Sequence, residues 1–170
     1  MPDQITIAVF DRTIEKFKEV LLQQDLESTK CRDALKTLNE LIHHQETADQ
    51  MIDFDIIAIT SALLRHQDAE VREQAALLIG QFAVHNRACP HLMEYSFKNL
   101  KEILEDDVQS VRDATALVFQ RLSVTAAGLE CIRDTESAEQ MVQSFIKHSS
   151  QDGLMPEKGR YLILLLEAFV

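Results

Sequence analysis

Apolar residues recur along this 170-residue chain at the spacing of one helix face. Val71, Ala75, Leu78, Ile79 and Phe82 stand at positions i, i+4, i+7, i+8 and i+11, which lie on one side of an α-helix. Glycine (4) and proline (3) are scarce, so the turn residues that many short strands would need are missing. The pattern predicts an all-α fold.

This helix recurs at an interval of forty residues. Val71-Arg72-Glu73 reappears as Val111-Arg112-Asp113, and Cys31-Arg32-Asp33 stands forty residues earlier. Three further rows of matching positions follow along the helix: Leu35, Ala75 and Thr115; Leu38, Leu78 and Val118; Ile42, Phe82 and Leu122. Asn39 interrupts the apolar pattern, because its counterparts are Ile79 and Phe119.

Two more helices precede the long helix in each unit. The middle helix carries Phe17, Ile57 or Phe97 at matching positions. Asp68 and Asp107 stand in polar joints before the long helices, where we expect them to act as N-caps. The short first helices are predicted at Thr47–Ile52, Cys89–Tyr95 and Ala126–Arg133.

A repeat of this length predicts a solenoid, because one unit cannot bury both of its apolar faces without neighbours. We expect one domain over residues 1–170, with an N-terminal arm at 1–10. The alternative is an irregular helical bundle, which the matched rows disfavour. The predicted repeats cover approximately residues 11–44, 45–85, 86–124 and 125–170.

The predicted fourth unit is irregular. Its last helix follows a loop, Ser149–Arg160, and is apolar on nearly all sides. Such a helix needs cover on several sides. We therefore expect this C-terminal apolar face to meet further repeats, a second copy of the chain or another protein. Its members are Tyr161, Leu164, Leu165 and Phe169.

The net charge of −11 narrows the classes of partner. Nucleic-acid affinity comes mainly from Lys and Arg on phosphates, so an acidic chain disfavours DNA, RNA and anionic membranes, and favours protein partners with basic surfaces.

Three widely spaced cysteines argue against a secreted disulfide framework. No signal sequence or membrane-spanning run is recognisable, and we expect a cytoplasmic protein.

Catalytic and phosphate-binding motifs are absent from the sequence. His85, Cys89 and His91 have the chemistry of zinc ligands, but we expect them to be structural residues at a joint and a helix end. We therefore predict no enzyme, no metal, no cofactor and no small-molecule substrate.

Charged residues also recur at the forty-residue interval, in one acidic and one basic set that we call ladders. We predict that Asp33, Glu73 and Asp113 lie in the first turn of their helices and compensate the helix dipole; a negative stripe for a basic partner is the alternative. For the second ladder, we expect each arginine to pair with an acidic residue of a neighbouring unit. These arginines are Arg32, Arg72 and Arg112.

The repeat resembles those of the armadillo/HEAT superfamily. It has the same order of features: a Leu-Leu pair, an acidic joint, Val-Arg and a long apolar helix. That resemblance implies a right-handed solenoid. In its peptide-binding members, an asparagine of each third helix clamps the cargo backbone. The matching positions here are Leu41, Gln81 and Arg121, and the chain has no tryptophan, so an importin-like cargo groove is not implied.

Several stretches also resemble a family of armadillo-repeat radial spoke head proteins of motile cilia. This family is the fourteenth of the numbered radial spoke proteins. These stretches include Asp11-Arg12, Leu22-Gln-Gln-Asp-Leu26, Ala83-Val84-His85 and Gly128-Leu-Glu-Cys-Ile132. The resemblance implies a structural subunit of the axonemal radial spoke, part of the cytoskeleton of a cilium or flagellum. It carries over no catalytic residue.

The sequence therefore predicts a non-catalytic scaffold that binds other proteins, within a radial spoke assembly. The alternative is a soluble cytoplasmic adaptor for trafficking, chaperone or signalling partners. We expect the contact surface on the inner face, where the last helices of successive units line up. The candidate residues there are Glu40, His44, Gln81, Gln120 and Arg121.

Overall fold

The computed structural model of the chain describes residues 4–23 and 27–133, and the regular elements in these ranges are all helical. A 3₁₀ turn at Asn86–Ala88 precedes the sixth helix. The helices are α1 (Gln4–Leu21), α2 (Ser28–Leu41), α3 (Gln45–Asp53), α4 (Ile56–Leu63), α5 (Ala69–Phe82), α6 (Cys89–Tyr95), α7 (Phe97–Ile103), α8 (Gln109–Ser123) and α9 (Ala126–Arg133).

Three helices recur in each unit: α3, α4, α6 and α7 have seven to nine residues, whereas α1, the middle helix of the first unit, has 18. The short helices α3, α6 and α9 stand where the sequence predicted them, and α6 and α9 have the predicted bounds. Helix α1 begins at Gln4, so residues 4–10, which we had assigned to an arm, continue into the middle helix of the first unit. The long third helices are α2, α5 and α8.

The matching rows of the third helices form the centre of the core. Phe82 is fully buried and Phe119 is 1% exposed. The ring of Phe97 meets that of Phe119 edge-on, with centroids 6.0 Å apart, and this contact joins α7 to α8. All twelve residues of the four predicted rows are buried: Cys31, Val71 and Val111; Leu35, Ala75 and Thr115; Leu38, Leu78 and Val118; Ile42, Phe82 and Leu122.

The units stack through their third helices, since α5 packs between α2 and α8. The short helix α6 packs against α4 of the preceding unit. Each unit therefore covers an apolar face of its neighbour, which is how a solenoid builds a continuous core. The predicted all-α solenoid is confirmed.

Asn39 links two units. Its Nδ2 donates a hydrogen bond to the backbone carbonyl of Gln74, 3.2 Å away on α5. The polar residue in the apolar row is therefore half-buried between α2 and α5, where its amide ties the first unit to the second.

The predicted N-caps differ in outcome. Asp68 accepts a hydrogen bond from the backbone N–H of Glu70 at 2.9 Å and caps α5 as expected. The prediction for Asp107 is wrong, because Val108 occupies the N-cap position of α8. Asp106 instead accepts from the Val108 N–H at 2.9 Å.

The C-terminal apolar face of Tyr161, Leu164, Leu165 and Phe169 lies outside the described residues, as does most of the predicted fourth unit. Among the helices that are described, none combines the length and the apolarity needed to cross a bilayer.

Candidate functional site

The side chains of α2, α5 and α8 that point away from the core, with those that directly follow these helices, form one surface, which we call the third-helix face. Gln81, Gln120 and Arg121 are half-buried on it. Glu40 and His44 are exposed at the end of α2, and His44 is also the N-cap residue of α3. The structure thus places all five predicted contact residues on or beside the third helices.

Apolar side chains alternate with these polar ones. Val84 and Val124, forty residues apart, are 47% and 67% exposed just after α5 and α8. Leu77 and Leu117 are half-buried one to two turns earlier. Sequence reasoning missed these four residues, although Val84 and Val124 stand in the row that begins at His44.

The guanidinium of Arg121 lies over Gly80 of α5. A Cβ added to Gly80 would stand 3.4 Å from Nη1 of Arg121 and 3.6 Å from Cγ2 of Val118. The glycine therefore leaves room in which the α8 arginine reaches back onto the preceding unit.

No carboxylate of the described residues pairs with Arg121 there. Its Nη1 is buried, and no hydrogen-bond partner reaches it. Burial lowers the pKa of the guanidinium, and among the described residues no carboxylate opposes this effect. Burying part of a charged group without a partner is unfavourable, and Nη1 of Arg121 is in that position.

Five other arginines differ from Arg121, because each has a hydrogen-bond partner. Arg112 donates to the carbonyls of Asp106 and Asp107 at 2.7 and 3.1 Å. Four more meet carboxylates of other helices: Arg32 binds Glu70, Arg65 binds Glu102, Arg72 binds Asp106, and Arg87 binds Asp49 and Asp53.

The predicted arginine ladder is confirmed for Arg32 and Arg72, each of which binds an acid of the next unit. Arg72 binds Asp106 through two hydrogen bonds and also donates to the carbonyls of His66 and Gln67 at 2.9 and 3.0 Å. Arg112 repeats these carbonyl contacts forty residues later, so the ladder fastens the polar joints as well as the stack.

The predicted place of the acidic ladder is wrong. Helices α2, α5 and α8 begin at residues 28, 69 and 109, so Asp33, Glu73 and Asp113 lie in the second turn. The helix dipole acts mainly within the first turn, and compensation of the dipole therefore does not explain them. Glu73 accepts a hydrogen bond from Ser110 Oγ at 2.7 Å, which links α5 to α8.

The three candidate zinc ligands do not converge. Nδ1 of His85 lies 3.3 Å from Oε1 of Gln45, and the His91 ring stacks on Tyr95 with centroids 6.4 Å apart. Cys89 is buried in α6. Within the part of the chain that the structure describes, no group of three His, Cys, Asp or Glu side chains could hold a metal ion.

Comparisons with known proteins give similarity at the level of structure. No family model matches the sequence, and no curated protein matches it. One engineered protein superposes on 91% of the chain with a TM-score of 0.75 and 16% identity, and the chain spans 60% of its length. A second covers 98% of the chain at a TM-score of 0.79 and 21% identity, and the chain spans 69% of it.

Armadillo proteins are among these similar structures. A designed armadillo repeat protein in complex with the peptide (KR)4 covers 94% of the chain, with a TM-score of 0.74 and 17% identity, and the chain spans 69% of it. The fold of this chain is therefore an armadillo-like solenoid.

Proposed function

We propose that this chain is a non-catalytic scaffold that binds other proteins through its third-helix face. The observation that carries the proposal is the uninterrupted row of three third helices, which presents half-exposed polar and apolar side chains side by side. Solenoids use such extended surfaces, on the inner side of their curve, to bind partners.

The armadillo fold supports this reading. A structurally similar designed armadillo repeat protein is in complex with the peptide (KR)4. In this chain, Asp33 and Glu40 are exposed on α2, where they would favour a basic partner segment. The net charge of −11 disfavours nucleic acid and anionic membranes.

We further propose that the scaffold serves in the radial spoke of a motile axoneme. This step rests on the resemblance of Leu22-Gln-Gln-Asp-Leu26 and Gly128-Leu-Glu-Cys-Ile132 to the spoke head proteins. The second candidate is a soluble cytoplasmic adaptor, which the same fold would serve equally well.

A binding test addresses the face itself. The double variant Val84→Asp and Val124→Asp places two charges on the third-helix face without touching the core. Leu22→Asp is the matched control, because Leu22 is 57% exposed and lies after α1, away from the face. Partners captured by the wild type should be lost by the double variant and kept by Leu22→Asp; equal capture by all three would refute the proposal.

A second test separates the two locations. The tagged full chain is expressed in a flagellated cell whose membranes are then extracted with detergent. An axonemal signal that survives extraction, and that the Val84→Asp, Val124→Asp variant loses, is expected for a spoke subunit. A signal that leaves with the soluble fraction would favour the adaptor.

A further inference from the structure

Arg121 shows what one part of the partner must supply. Arg121 is half-buried on the third-helix face, and its Nη1 is buried without a hydrogen-bond partner among the described residues. A buried cation is stabilised most by a carboxylate that also accepts its hydrogen bonds. Residues 4–23 and 27–133 offer such a carboxylate to Arg32, Arg65, Arg72 and Arg87, but not to Arg121.

We infer that Arg121 binds the carboxylate of an Asp or Glu side chain in an apolar segment of the partner protein. This inference rests on the proposed function, because it assigns the chemistry of one position on the same face. Arg121 is half-buried as a residue, so part of its side chain remains within reach of a partner while Nη1 packs against Gly80.

The surroundings of Arg121 decide what flanks that acid. Leu77 and Leu117 lie on one side of it along the third helices, and Val84 and Val124 lie on the other. A segment that runs along α5 and α8 therefore meets apolar side chains before and after the guanidinium. This arrangement favours an internal acidic residue over a chain terminus, which would leave one apolar side uncovered.

Charge varies along the face in a way that would orient the partner. Glu40 and Leu41 end α2, whereas the matching positions of α8 carry Gln120 and the cation of Arg121. A lysine or arginine is therefore tolerated over α2 but repelled over Gly80 and Arg121. A uniformly basic peptide such as (KR)4 would fit only one end of this face.

The test uses selection from a displayed library of random peptides about ten residues long, which in extended form cover more than the ~10 Å from Leu117 to Val124 along α8. The full chain, Arg121→Gln and Arg65→Gln are panned in parallel. Arg65→Gln removes the same charge at an exposed pair with Glu102, away from the third helices. We expect the wild type and Arg65→Gln to enrich peptides with one acid between apolar residues, and Arg121→Gln to lose that enrichment.

A thermodynamic cycle on one selected peptide then assigns the contact. Replacing its acid by the amide should weaken binding to the wild type at least about tenfold and leave binding to Arg121→Gln unchanged, as measured by fluorescence anisotropy. An acid preference that persists in Arg121→Gln would overturn the inference, as would enrichment without any acid.

Two other outcomes are also decisive. If amidation of the peptide C-terminus weakens binding and the side-chain change does not, Arg121 binds a terminal carboxylate and the inference is wrong. If no peptide is enriched on any variant and the Val84→Asp, Val124→Asp variant keeps its partners, the proposed function itself fails. The double aspartate variant could lose the enriched peptides although these peptides show no preference for an acidic residue. That result would refute the inference about Arg121 and leave the proposed function standing.

Discussion

The guanidinium of Arg72 binds the carboxylate of Asp106 across the boundary between two units. Nε donates to Oδ2 at 2.7 Å and Nη2 donates to Oδ1 at 2.9 Å. The two side chains are only 17% and 8% exposed. Asp106 also accepts a hydrogen bond from the backbone N–H of Val108, the N-cap residue of α8. The same carboxylate therefore connects two units and stabilises the joint before α8.

Arg72→Met is expected to lower the free energy of unfolding by about 3 kcal/mol, because it leaves the carboxylate of Asp106 buried without its partner. The measurement is urea unfolding followed by circular dichroism at 222 nm. Arg32→Met is the matched control: its partner Glu70 is 63% exposed, and water can solvate that carboxylate after the change. Equal losses in the two variants would show that the Arg72 pair is no more than a surface ion pair.

The same pair predicts a dependence of stability on pH. Burial alone would raise the pKa of Asp106, but the hydrogen bonds from Arg72 and Val108 and the charges of Arg72 and Arg112 lower it below its ordinary value. The folded chain then binds the proton more weakly than the unfolded chain. The stabilisation is complete above about pH 4 and is lost as the pH falls through the lower, folded pKa.

Asp106→Asn isolates this effect, because the amide keeps an oxygen that can accept from Val108. The difference in unfolding free energy between wild type and variant should be largest near pH 7 and shrink as the pH falls below about 4. Urea titrations at each pH measure it. A difference that stays constant over this interval would contradict the prediction.

Two helical glycines should respond to alanine in opposite directions. A Cβ at Gly80 makes only ordinary contacts, the closest with the end of the flexible Arg121 side chain. Alanine also favours a helix over glycine, so Gly80→Ala should stabilise the fold by about 0.5–1 kcal/mol. A Cβ at Gly128 would stand 2.2 Å from the carbonyl oxygen of Leu122, and Gly128→Ala should cost about 1–3 kcal/mol. Thermal unfolding of both variants checks the sign, and a shift in the same direction for both would be contrary to the structure.

The core could be predicted from the sequence because the repeat samples it three times. A single apolar row could belong to many helical arrangements, but rows such as Leu38, Leu78 and Val118 must face the same environment in every unit. The predicted rows therefore identified the buried face correctly, including Thr115, whose hydroxyl donates to the Val111 carbonyl at 2.7 Å within α8.

Local hydrogen bonds at the joints were harder to predict. Asp106 and Asp107 are adjacent, and a sequence does not define a helix end to better than one or two residues. Forty residues before Asp106 stands His66, whose Nδ1 accepts from the backbone N–H of Asp68 at 3.0 Å. The two residues have the same structural role, but their chemistry is so different that the sequence repeat does not reveal it.

The unpaired state of Arg121 could not be derived from the sequence either. Whether a cation finds an acid depends on how far its side chain reaches between helices, and the chain has 28 acidic residues that could have met it. The available signal was Gly80, a glycine inside a helix where its counterparts are Glu40 and Gln120. A small residue at that position allows a long side chain from the next unit to lie across it.

The last prediction concerns what Arg121 contributes to the folded chain without a partner. If its guanidinium is desolvated and unpaired, replacing it by an uncharged side chain of similar length should remove a cost. Arg121→Met should therefore leave the free energy of unfolding unchanged or raise it, since methionine keeps an unbranched apolar side chain and removes the charge. Arg72→Met, the same substitution at a paired position, should lower it.

Urea unfolding of the two methionine variants beside the wild type measures this contrast without any ligand. A loss above about 1 kcal/mol in Arg121→Met would mean that the guanidinium already has a stabilising partner in the folded chain. The cation would then not be available for a carboxylate from another protein. The stability of Arg121→Met could be unchanged or raised while its binding of acidic peptides is weaker. Arg121 would then stabilise the complex without stabilising the free chain.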